Sequence, residues 1–276
     1  MPIADSEKEK EAIIDKAMES GVRFFENAWV YHGGEAEEIY GRYLVPKYRD
    51  EIFLATKNRA NDAEGARKQH EDSKRRMKTD VIDLVYMHNL YNPDDVDKRL
   101  NGGVLEFLLK MQQKGEIRHL GFSGHTHTVT HTHFIEKIAG NDPFVATLFP
   151  VNPVEPSKPD SFVKELLPWL QDTGYALIGM KSLAHGRFMA RNHEEKWRLD
   201  DPVVPNYLSV EEVLWYALSL PITSLVVGTE KLEYLEQNVR AVEAFQKFSR
   251  SELEEIEKRV ARFASTPNLE YYRPYP

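Results

Sequence analysis

The sequence predicts an α/β chain folded as a (β/α)8-type barrel that lacks its first β-strand. Three observations lead there. Short apolar runs alternate with amphipathic stretches at intervals of roughly 30 residues, about one βα unit each. Several of the runs are apolar nearly without interruption, as parallel strands buried on both faces should be. The G-x-G-x-x-G turn of an open dinucleotide-binding sheet is absent after the first strand, which favours a barrel. A length of 276 residues is ordinary for that fold.

The predicted strands are 22–25, 52–55, 81–87, 117–122, 144–151, 175–180 and 222–227. Between them lie helical stripes. Ile13, Ile14, Ala17 and Met18 form one, closed by Gly21. Val104, Leu105, Leu108 and Leu109 form another before Gly115. Phe162, Val163, Leu166, Leu167 and Leu170 precede Gly174, and Leu232, Leu235, Val239 and Val242 form a fourth. Ser6 with Glu9, Ser209 with Glu212 and Ser251 with Glu254 have capping-box spacing and mark helix starts. Residues 150–159 and 191–206 read as long βα loops, and no linker divides the chain, so residues 1–276 read as one domain. The chain opens on a helix and offers seven strands, whereas closure of this barrel takes eight. A rudimentary strand in residues 1–5, another element filling the gap, and a start further upstream all remain open.

Composition narrows the function. Hydrophobic residues at 41% and charged residues at 29% are those of a globular chain. A net charge of −8 argues against nucleic acid or an anionic membrane as the main partner. The chain has no cysteine, which removes disulfides, thiolate zinc sites, iron–sulfur clusters and cysteine nucleophiles and fits a reducing compartment. The N-terminus has no signal-peptide core, and no stretch reaches the roughly 20 apolar residues of a membrane span. A cytoplasmic protein is expected.

Catalytic groups of parallel barrels sit at the C-terminal ends of strands. Glu26 closes Phe24-Phe25-Glu26, with Tyr31 five residues on; Lys57 closes Leu54-Ala55-Thr56-Lys57; His88 closes Tyr86-Met87-His88. Taken singly, each has a plain reading as a mouth ion pair, loop packing or a buried histidine. Together they resemble the aldo-keto reductase family, whose signature is a carboxylate and a tyrosine on one strand-loop, then a lysine strand, then a histidine strand. The segment Lys114-Gly115-Glu116-Ile117-Arg118-His119-Leu120-Gly121-Phe122-Ser123 also resembles the family, and the likeness runs in order from about residue 10 to 262.

The resemblance implies reduction of a carbonyl compound, or oxidation of an alcohol, with NADPH or NADH. Tyr31 would donate the proton, Lys57 would lower its pKa, Glu26 would hold Lys57, and His88 would position the carbonyl oxygen. It also implies a cofactor site made by Ser123, by Lys181, Ser182 and Leu183, and by Gly228, Thr229, Lys231, Gln237 and Asn238. Lys231 would meet a 2′-phosphate, with Glu230 opposing it. NADP(H) is therefore expected ahead of NAD(H).

There are departures. Glu26 stands where the family has Asp. Gly124 follows Ser123 in place of Asn, Leu148 in place of Gln, and Met180 in place of a stacking Tyr. The Gly-His after that serine and the Met-Lys pair resemble an uncharacterised branch, without its iron–sulfur cysteines. A second hypothesis follows, a weakened cofactor-binding regulatory or interaction protein. A third is a metal hydrolase built on His125, His127, His131 and His133, four histidines in nine residues; no metal is assigned, because i,i+4 histidines alone are weak. Loops 154–161 and 184–207 and the tail Tyr271-Tyr272-Arg273-Pro274-Tyr275 would select the substrate, and the tail's aromatics point to an apolar or ring-bearing compound no better than they point to packing.

Overall fold

Neighbouring strands in this chain pair in strict sequence order. The computed structural model describes residues 4–188, 208–266 and 269–273. All seven expected strands form: β1 (Phe24–Glu26), β2 (Phe53–Asn58), β3 (Ile82–Met87), β4 (Ile117–Ser123), β5 (Phe144–Pro150), β6 (Ala176–Met180) and β7 (Ser224–Leu225). They lie parallel in the order β1 to β7 and curl as a half-barrel with helices outside. The loop 191–206 lies outside the described residues.

Two layers of apolar side chains explain why the strands are uninterrupted runs. Ala55, Leu84, Tyr86, Ala146, Leu148, Ile178 and Met180 point into the curl, joined by Phe24, Ala176 and Val226. The alternate positions, among them Leu54, Val85, Leu120 and Phe122, pack outward against the helices. Every residue of β3 is buried, whereas Ser224 and Leu225 are only half-buried.

That gradient follows from each strand's place in the sheet. Among the described residues β1 pairs only with β2 and β7 only with β6. Ala4 and Asp5 belong to no strand, and residues 1–3 are outside the described set. The helices Glu7–Glu19 and Leu232–Glu243 pack against each other, so the helical layer joins the ends that the sheet leaves apart.

Helix boundaries follow local chemistry. Ser6 caps Glu7–Glu19 by accepting from the Glu9 amide at 3.2 Å. Ser209 and Glu212 satisfy each other's amides reciprocally before the helix Val210–Ser219. The expected box at Ser251 and Glu254 is corrected to Ser249 and Glu252, which open the helix Arg250–Val260. The two patterns overlap, and Ser249 has the extended backbone a cap needs, while Ser251 already lies in the first turn and Glu254 pairs with Arg250 at 3.0 Å. The Phe162 stripe begins as a π-helical turn, Phe162–Leu166, before Leu167–Leu170. Pro168 lacks the amide that regular α-helical bonding would use there.

The outward core centres on Phe122, whose ring lies 4.8 Å from Phe134, 5.7 Å from Phe144 and 5.5 Å from Tyr175. Phe122→Ala is expected to lower unfolding stability by about 3–5 kcal/mol, measured by urea denaturation. A loss below about 1 kcal/mol would place the core elsewhere.

Candidate active site

The parallel register sets Glu26 beside Ala55 and Asn58 beside Met87, so the C-terminal ends of β1, β2 and β3 share one rim. From that rim Lys57, which is buried, ion-pairs with Glu26 and donates to the Asn27 carbonyl at 2.8 Å and the Tyr31 hydroxyl at 3.2 Å. The longer arm of Glu26, in place of the shorter acid, reaches the amine. His88 presents its ring edge to Tyr31, centroids 5.8 Å apart, and its Nδ1 is buried without a partner. Its backbone is pinned by bonds to Asn58 O at 2.8 Å and from Arg99 at 2.7 Å.

Tyr31 belongs to the tight turn Tyr31–Gly34, which enters the helix Glu35–Ile39. Arg76 clamps that turn. Its guanidinium donates to Trp29 O at 3.0 Å, lies 5.4 Å from the Trp29 ring centroid, and pairs with buried Glu37 at 3.2 Å. A Cβ on Gly34 would stand 2.3 Å from that guanidinium, at φ +107°, so only glycine lets the clamp close.

Burial governs the protonation of these groups. It pushes the Tyr31 phenol well above its ordinary value, so the hydroxyl keeps its proton at neutral pH. It pulls the His88 imidazole well below its usual range, helped by the Lys57 charge, and holds the ring neutral. Burial, with the charge of Lys181, also pulls the Lys57 amine down. The Glu26 carboxylate in contact opposes that pull by favouring the charged amine.

The residues expected to hold a cofactor fall at the ends of β4, β6 and β7. Ser123 is buried and accepts from the Asn89 amide at 3.1 Å. A Cβ on Gly124 would lie 2.8 Å from the His131 ring and 2.9 Å from Leu90 O, which accounts for glycine where the family has asparagine. Leu148 and Met180 line the curl. After β6, Lys181 starts a short loop in which Ser182 and Leu183 are buried and Ala184–Gly186 makes a 3-10 turn. After β7, Gly228 and Thr229 lead to Lys231, the N-cap of Leu232–Glu243, on which Gln237 and Asn238 are half-buried. The Lys231 amine lies 5.7 Å from the Tyr234 ring centroid.

The histidine run disperses. His127 pairs with Asp160 at 3.1 Å and His133 with Asp97 at 2.9 Å. His125 donates to the Tyr272 carbonyl at 3.0 Å, and His131 sits among Phe122, Phe149 and Phe162. Among the described residues no group of three or more His, Asp or Glu is placed to hold a metal ion.

Sequence reasoning missed how the tail reaches the mouth. Arg273 pairs with buried Glu155 at 2.5 Å and with Asp160 at 3.2 Å. Glu270 accepts from Asn152 at 2.6 Å and pairs with Lys158 at 2.7 Å. Tyr272 is thereby a buried anchor, and Tyr271 meets His185 at 2.8 Å. The available signal was charge: Glu155 and Arg273 interrupt stretches otherwise rich in proline and aromatics.

Residues 4–206 match the Aldo/keto reductase family. The chain belongs to that family. Aldo/keto reductases are oxidoreductases that use nicotinamide cofactors. The chain is 26% identical over 266 residues to the uncharacterized oxidoreductase YqkF of Bacillus subtilis, covering 84% of this chain and 82% of the relative. It is 25% identical over 268 residues to L-galactose dehydrogenase of Arabidopsis thaliana, covering 87% and 79%. The holo form of the aldo-keto reductase AKR11C1 from Bacillus halodurans superposes with a TM-score of 0.74 at 22% identity, covering 93% of this chain and 89% of that one. At that identity the last likeness is one of fold.

Burial brings the Lys181 pKa down to about 8. A lysine lowered in the folded state costs stability while folded and unfolded chains are both protonated. The cost fades as pH rises from about 8 towards the unfolded value of about 10.4. Lys181→Met is therefore expected to melt above the parent protein at neutral pH, with the difference in Tm shrinking at alkaline pH. A difference that grew with pH would reverse the assignment.

Proposed function

We propose that residues 1–276 act as one unit that reduces an aldehyde or ketone to its alcohol, with NADPH preferred to NADH as hydride donor. The observation that carries the reading is the hydrogen bond from Lys57 to the Tyr31 hydroxyl at 3.2 Å, made while Lys57 is paired with Glu26.

The donor set fits a nicotinamide dinucleotide. Arg187, on the loop after β6, has Nε and Nη1 buried without partners, as a site awaiting an anionic phosphate would. Ser182 and Leu183 would hold the same stretch with Ser123 at the nicotinamide end, and Gly228, Thr229, Lys231, Gln237 and Asn238 would hold the adenosine end. Lys231 supports the preference for a 2′-phosphate. The bound cofactor supplies the hydride.

The chain's own residues manage the proton. Lys57 donates to the Tyr31 oxygen, so the phenol's hydrogen is left free to point at a carbonyl oxygen. As negative charge builds on that oxygen, Tyr31 releases its proton, and the ammonium 3.2 Å away stabilises the phenolate left behind. Glu26 keeps the ammonium charged in a buried place, and Asn27 O fixes its direction. Neutral His88 donates one hydrogen bond to the substrate oxygen without competing for the proton.

Tyr31→Phe is expected to lower kcat for reduction by at least about 100-fold, followed by NADPH absorbance with a panel of aldehydes. Turnover that survived this change would remove the proton-donor role. NADPH binding with no turnover of any carbonyl in the panel would remove the reductase reading itself.

A further inference from the structure

We infer that the substrate carries a carboxylate, which meets the Lys181 ammonium while the carbonyl faces Tyr31, and that His185 and Tyr271 position Lys181 for it. The inference rests on the reductase reading above and adds the chemical class of the substrate.

The partners of Lys181 are neutral. Its amine donates to His185 Nε2 at 2.8 Å and lies 5.3 Å from the Tyr272 ring centroid. Among the described residues no carboxylate lies within ion-pair range of it. Lys57, His125 and His185, the groups whose protonation its charge depresses, cannot neutralise it. Glu26 is taken by Lys57, and the acids of the adjoining loop and tail, Glu155 and Glu270, are taken by Arg273 and Lys158. A partly buried ammonium without a counter-ion is costly, and a bound anion removes that cost.

The backbone is bent to put it there. Lys181, Ala184 and His185 have φ of 61°, 43° and 59°, left-handed values at three non-glycine residues within five. Each such residue is strained and persists only where surrounding contacts impose it. Here the Ala184 amide bonds Lys181 O at 2.9 Å, and the Arg187 amide bonds Ala184 O at 3.1 Å. The side chains continue the constraint. Since Lys181 donates to Nε2, the neutral His185 ring carries its hydrogen on Nδ1, which donates to the Tyr271 hydroxyl at 2.8 Å. Tyr271, on the tail fastened through Arg273 and Glu270, thereby fixes the direction of an amine at the mouth.

Lys181 follows Met180, the last residue of β6 and a lining residue of the curl, so it stands on the same rim as Lys57, which touches Tyr31. Arg187, further along the loop with its unpartnered nitrogens, is the cation suited to cofactor phosphates. Lys181 is left for the substrate.

A carboxybenzaldehyde and its methyl ester make a matched pair that differs in charge. The parent protein is expected to favour the acid in kcat/KM by about tenfold or more, the scale of one charge-assisted hydrogen bond. Lys181→Met should erase that preference and Lys181→Arg should keep most of it, while the NADPH Kd, read from fluorescence quenching, stays within about threefold. An equal preference in the parent and Lys181→Met would overturn the inference. So would a large rise in NADPH Kd with both aldehydes slowed alike, since the cation would then serve the cofactor's phosphates. Calorimetry with benzoate needs no turnover. Benzoate bound by the parent and not by Lys181→Met would uphold the anion site even where neither aldehyde reacts, an outcome that fails only the reductase reading.

Discussion

The mouth of this protein depends on keeping one ammonium charged where water cannot help it. Lys57 is buried at the end of β2, and its counter-ion comes from the end of β1 beside it. Parallel pairing makes that possible, because strands running the same way deliver their last residues to the same rim. If the pair were broken, the remaining charge would be stranded in a low-dielectric place at a cost of several kcal/mol. The pair therefore also ties the edge strand β1 to the sheet, so that the chemistry and the weakest part of the fold share one contact.

Much of this was legible before any coordinates. The seven strands were visible because strands covered on both faces have no polar phase, and Glu26, Tyr31, Lys57 and His88 stood out because they punctuate apolar runs at their ends. Other features were hidden for physical reasons. The Ser249 cap lies two residues before a second serine with the same spacing to a glutamate, and only backbone conformation separates them. His127 and His133 looked like a cluster in one dimension, but Asp160 and Asp97, distant in sequence, divide them. Glycine at position 124 reads as a lost contact until the His131 ring is seen in the space a side chain would need. The tail's hold on Glu155 joins residues more than a hundred positions apart, and no local pattern encodes that.

The charge distribution at the mouth runs against that of the whole molecule. The chain carries a net −8, yet Lys57 near the end of β2 and Lys181 after β6 stand on one rim, with Arg187 further along the loop after β6 and Glu26 paired to Lys57. A cationic recess in an acidic protein concentrates field lines at one opening and repels anions elsewhere. Nicotinamide dinucleotides and carboxylates are both anionic, so under the proposed function the same field would serve cofactor and substrate.

The open sheet bears on how the chain assembles. Every strand pairs with its neighbour in sequence, and among the described residues no pairing joins β1 to β7. The helices Glu7–Glu19 and Leu232–Glu243 bring distant parts of the chain together all the same, so the loop-closure entropy is met in the helical layer. Assembly can spread outward from the fully buried centre at β3, and among the described strands the half-buried β7 is the first to fray.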